Sequence, residues 1–170
     1  MRTRIALTVA ATATAAVVTS YARGDAQPPR APVVPAQPAP VAPTGVGDVT
    51  HLTPALQRSI DLAIAAARAD GVELTVTSGW RSAAHQQRLY DDAIAKYGSP
   101  EAARQWVLPP NESAHVRGEA IDVGPAAGAT WLERHGVRWG LCRRYANEPW
   151  HFERLAAAKG SVCPALEPHA

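Results

Sequence analysis

Cysteine is scarce in this chain: Cys142 and Cys163 are its two. No Cys-x-x-Cys spacing occurs, which excludes a thiolate metal site of the finger or ribbon type. In an exported protein such a pair is most simply a disulfide, and here it would tie the C-terminal segment to the body of the domain. A loop of that size adds about 3 kcal/mol in the chain-entropy model. Charge of one sign is also missing. Seventeen Lys and Arg against fifteen Asp and Glu leave a formal +2, and Arg2 and Arg4 sit at the extreme N-terminus. That leaves no basic face for nucleic acid and no polybasic membrane anchor. Apolar length is short as well. The uncharged run Ile5 to Val18 falls below the roughly 20 residues of a spanning helix, so no membrane-spanning segment is expected in the mature form.

What is present reads as three parts. Residues 1–26 resemble a secretory signal, with Arg2 and Arg4 before an apolar stretch. Ser20-Tyr21-Ala22 and Gly24-Asp25-Ala26 both offer cleavage sites, so export to the wall or periplasm is expected. Residues 27–47 form a linker in which Pro28, Pro29, Pro32, Pro35, Pro38, Pro40 and Pro43 exclude helix and sheet and favour an extended spacer. Residues 48–170 form the domain, expected to be a monomer.

Within it, Thr53-Pro54 caps a helix carrying Leu56, Ile60, Ala63, Ile64 and Ala67 at helical spacing, with Gly71 as its stop. Val72 to Ser78 alternates as a strand with Val72, Leu74 and Val76 inward. Further helices are predicted over 82–97, 99–106 and 130–135, with 126–128 a loop. Residues 137–145 predict a turn and strand, and 150–155 a final strand in which Trp150 and Phe152 face the core. The class is α+β: N-terminal helices packed on a small antiparallel sheet.

The chemistry gathers in Ser113-Ala-His115-Val-Arg-Gly118-Glu-Ala120-Ile-Asp122 and Glu148-Pro-Trp150-His151. A bend at Gly118 brings Asp122 back towards His115. Ala120 and Asp122 share one strand face, and Ile121 and Val123 the other. Two imidazoles and one carboxylate make a three-ligand site with a fourth position open, the form catalytic zinc takes; calcium and magnesium prefer all-oxygen shells. Glu148, beside a ligand but not one itself, suits a general base. Arg81, in Ser78-Gly-Trp80-Arg81-Ser82, suits an oxyanion or a substrate carboxylate, and Ser113 a hydrogen bond to substrate. His51, His85, His135 and His169 read as structural, and Glu119 and Glu153 as solvated.

These motifs resemble the D-alanyl-D-alanine carboxypeptidases and dipeptidases that include the vancomycin-resistance enzymes, in the group sharing a fold with lysostaphin and the Hedgehog signalling domain. The resemblance covers residues 50–156. It implies zinc (Zn2+) on His115, Asp122 and His151, Glu148 as base, and Arg81 as oxyanion and substrate grip. It also implies Ser113 and Gln86 as substrate contacts, and the peptidoglycan stem peptide as substrate, cut near its D-amino-acid end. The segment between Asp122 and Glu148 is short and carries Cys142, which leaves D,D- and L,D-carboxypeptidase, dipeptidase and endopeptidase open. Beyond Leu155 no family motif matches. A non-catalytic, zinc-stabilised wall-binding module is the rival from another class, but it would need neither Glu148 nor Arg81.

Overall fold

The computed structural model describes residues 48–158 and 160–170. The signal expected at 1–26 and the linker expected at 27–47 lie outside the described residues. Helix α1 (Pro54–Ala69) starts where the Thr53 hydroxyl accepts from the Leu56 N–H at 3.4 Å and Pro54 takes the first turn. Its Leu56, Ile60, Ala63 and Ala67 are buried. Full burial of the two larger side chains contributes about 1.5–3 kcal/mol each. Strand β1 (Thr75–Ser78) follows, then α2 (Ala83–Tyr97), capped by Ser82, and the short α3 (Pro100–Arg104), capped by Ser99. Strand β2 (Ala120–Gly124) leads into α4 (Ala126–His135) and a 3-10 turn (Gly136–Trp139). Strands β3 (Leu141–Arg143) and β4 (His151–Arg154) complete the set.

The strands form one antiparallel sheet in the order β1-β2-β4-β3. Register decides what each face carries. Ile121 pairs with Phe152, and Asp122 pairs with both His151 and Ser78. Paired residues share a face, so Ile121, Val123 and Phe152 enter the core with Leu56, Ile60 and Leu132. Asp122, His151 and Glu153 project on the opposite side. All five residues of β2 are buried, because helices cover one face and the site covers the other.

Three expectations need correction. The strand predicted from Val72 begins only at Thr75, because its partner β2 ends at Gly124 and Pro125 cannot donate to a ladder. Residues 126–128 are the first turn of α4, not a loop. Gly128 is there for close packing: a Cβ on it would lie 2.4 Å from the Glu73 carbonyl oxygen. Trp150 does not face the core. It precedes β4, in a turn where the His151 N–H donates to the Glu148 carbonyl at 3.3 Å, and it lines a cleft. Cys142 and Cys163 are joined in a disulfide, as expected.

Candidate metal centre and cleft

The site assembles from four stretches of chain. Asp122 comes from β2 and His151 from the start of β4, held side by side by the sheet register. His115 comes from the turn before β2. That turn closes at Gly118, which adopts φ +68° and lies so close to the segment before α1 that a Cβ would sit 2.4 Å from the His51 carbonyl oxygen. Arg81 follows β1. The bend expected at Gly118 is therefore present and has the expected effect.

Three donor atoms converge. Nε2 of His115 is 3.2 Å from Nδ1 of His151 and 3.3 Å from Oδ1 of Asp122, and that oxygen is 3.2 Å from the same Nδ1. All three residues are buried. The far nitrogen of each ring is committed. Nδ1 of His115 donates to the Gly79 carbonyl at 2.7 Å, and Nε2 of His151 donates to Oε1 of Glu153 at 3.3 Å. In the neutral rings this leaves two lone pairs and a carboxylate oxygen facing one another, an arrangement that needs a cation. A regular tetrahedron with edges of 3.2–3.3 Å has its centre about 2.0 Å from each corner, the length of a zinc bond to imidazole or carboxylate. The donor set fits zinc.

Without metal, the electrostatics favour an ionised Asp122 and a neutral His115 but keep a proton on His151. Burial would raise Asp122, but the two imidazoles, His115 first, outweigh it and hold the carboxyl well below its usual range. Burial lowers His115 against the pull of Asp122. For His151, burial is overcome by the hydrogen bonds to Asp122 and Glu153, and the ring is pushed up to about 9. Burial pushes Glu148 up to about 7, with His151 opposing. Its Oε2 lies 3.7 Å from Nδ1 of His151, so the carboxylate stands beside the donor cluster without joining it. The turn that includes Pro149 puts both residues on one side, which a regular strand would not.

Arg81 is the busiest group. It pairs with Oδ2 of Asp122 at 2.6 Å, gives two bonds to Ser78 Oγ at 3.0 and 3.1 Å, and one to Oε1 of Gln86 at 3.4 Å. That commits four of its five N–H groups and leaves one on Nη1. Gln86 is buried and also donates to the Leu108 carbonyl at 2.8 Å, so it braces Arg81. Ser113, Arg81, Gln86, Glu148 and the three donors all line one cleft of 720 Å³. Glu153, read from the sequence as solvated, is instead the partner of His151. Its signal was present in the alternation of β4, where positions 151 and 153 share a face. His85 also lines the cleft, and the ring of His51 lies 4.4 Å from that of Trp80.

A family model described as VanY, D-alanyl-D-alanine carboxypeptidase, matches residues 50–156. A D-alanyl-D-alanine carboxypeptidase of Enterococcus faecalis is 35% identical over 128 residues, covering 60% of this chain and 46% of its own. The chain thus spans about half the length of that relative. A vancomycin-resistance D,D-pentapeptidase VanY from a VanB-type cassette, solved as a Glu-to-Ala mutant with Zn(II), superposes with a TM-score of 0.59 at 29% identity, covering 64% of this chain and 76% of that one. VanYB in complex with D-alanine-D-alanine gives 0.58 at 31% identity, over 63% and 74%.

Proposed function

This chain belongs to the VanY family of D-alanyl-D-alanine carboxypeptidases, and from that premise we propose that it is a zinc-dependent carboxypeptidase that trims D-alanine from the ends of peptidoglycan stem peptides. The observation that carries the reading is the buried triangle of His115 Nε2, His151 Nδ1 and Asp122 Oδ1, with Glu148 set 3.7 Å from it at the wall of the cleft. Zinc held there would polarise the scissile carbonyl and acidify a water.

The protein's own groups supply the remaining steps. Glu148 takes the proton of the attacking water and returns it to the departing amine; burial, which raises the carboxyl above its usual range, suits it to give the proton back as well as take it. Arg81 fixes Asp122 through Oδ2 and offers its remaining N–H to the oxyanion or to the terminal carboxylate. Gln86 acts through Arg81, and Ser113 contacts the peptide from the cleft wall. Residues 1–26 direct export and 27–47 space the domain from its point of attachment. An oxidising compartment agrees with the Cys142–Cys163 disulfide. No helix among the described residues is long and apolar enough to cross a membrane.

The test is mass spectrometry of stem pentapeptide and tetrapeptide incubated with the wild type and with Glu148→Ala. Loss of one D-alanine from the pentapeptide defines a D,D-enzyme, and loss from the tetrapeptide alone an L,D-enzyme. Glu148→Ala keeps its zinc and loses hydrolysis by about 100-fold or more. Normal turnover by that variant would remove Glu148 from the role of base.

A further inference from the structure

The segment from Cys163 to Ala170 lies beyond the residues that match the family, 50–156, yet it reaches the site. Cys142 is the register partner of Glu153, so its disulfide leaves the sheet on the face that carries His151. Further along, Glu167 bridges Tyr145 in parallel register. Its N–H donates to the Arg144 carbonyl at 2.9 Å, and its carbonyl accepts from the Ala146 N–H at 2.7 Å. Its carboxylate pairs with the Arg144 guanidinium. Ala170 lines the cleft.

On the inner side of this contact lie Tyr145 and Arg144, which pack against His151 and its partner Glu153. Tyr145 is buried, with its ring 5.2 Å from that of His151. Arg144 Nε lies 3.5 Å from Oε2 of Glu153, while Oε1 of the same carboxylate accepts from His151. The guanidinium therefore stands between two carboxylates. With Glu167 in place it is shared, and Glu153 keeps its charge directed at the imidazole. Without Glu167, the nearest counter-charge is Glu153. A guanidinium that closes on that carboxylate draws its charge from the His151 N–H and makes the ring a poorer ligand.

We propose that Glu167, on its disulfide-anchored segment, is a positioning residue for the metal centre: it holds Arg144 back from Glu153 and Tyr145 against His151. This rests on the reading of His115, Asp122 and His151 as a zinc site, but not on the substrate.

The experiment is zinc affinity by chelator competition on the full chain, for wild type, Glu167→Gln, Glu167→Asp and His169→Ala. Melting temperature and the kcat and KM for stem pentapeptide are taken on the same samples. Glu167→Gln should bind zinc about three- to tenfold more weakly, less than the 10–100-fold typical when a ligand's direct partner is lost. Its kcat should fall more than its KM changes. Glu167→Asp should recover most of the affinity, and His169→Ala should match wild type. Removing both cysteines as Cys142→Ser with Cys163→Ser should weaken zinc in the same direction. Zinc affinity for Glu167→Gln within twofold of wild type overturns the proposal, whatever the melting temperature does, and makes the segment a stability strap. Weaker zinc in Glu167→Gln from a wild type that releases no D-alanine upholds it while the carboxypeptidase reading fails.

Discussion

At His115 and His151 the same local rule applies with opposite nitrogens. One ring uses Nδ1 on a backbone carbonyl and the other uses Nε2 on Glu153, and each thereby turns its remaining nitrogen towards Asp122. The fixed partners choose the tautomers. They also set a proton cost. Without metal, the His151 ring is pushed up to about 9 and must lose its proton to become a ligand. Zinc affinity should therefore rise by up to about tenfold per pH unit from near neutrality towards 9 and then level off. The sign is the reverse for the stability of the metal-free fold. A ring raised from 6.5 to about 9 stabilises fully below 6.5, and that contribution is lost as pH rises through 9. Chelator-competition titrations at pH 6.5, 7.5 and 8.5 check the first statement; a flat affinity would mean that His151 is already neutral in the metal-free protein.

At the level of elements, what was legible in the sequence was what local chemistry dictates. Thr53, Ser82 and Ser99 cap their helices with their own side chains, so the starts of α1, α2 and α3 could be read directly. The metal donors were legible because their spacing around Gly118 and within Glu-Pro-Trp-His is unusual. The illegible parts depended on distant neighbours. Gly128 reads as a helix breaker until Glu73 is seen to pass over it. Glu153 reads as solvated until β4 is known to place it on the site face. The shortening of β1 follows from where β2 ends, which nothing in Val72 to Ser78 records. Gly118 offers a test at this scale. Its left-handed backbone costs any other residue about 1–2 kcal/mol, and the 2.4 Å approach to His51 adds to that. Gly118→Ala should lower the melting temperature by several degrees and weaken zinc through His115. A variant with wild-type melting and zinc binding would show that the turn is set elsewhere.

For the domain as a whole, the fold brings one buried centre to one wall of a cleft and then closes its C-terminal end over the same sheet face with a disulfide. Cys142 and Cys163 are 21 residues apart, and a loop of that length contributes about 3 kcal/mol in the chain-entropy model. Reduction should lower the denaturant midpoint measurably, with zinc restoring part of the loss by mass action. An unchanged midpoint after verified reduction would mean that β3 and the Glu167 pairing hold the segment without the bond.

The most direct measurement is a zinc titration of chelator-stripped protein with D-alanine release from stem pentapeptide read in the same tube. No release is expected without metal, with release rising linearly to a plateau at about one zinc per chain, and none at any zinc level for His115→Ala. Release that survives stripping, or a fully loaded protein that frees no D-alanine from either stem peptide, would contradict it.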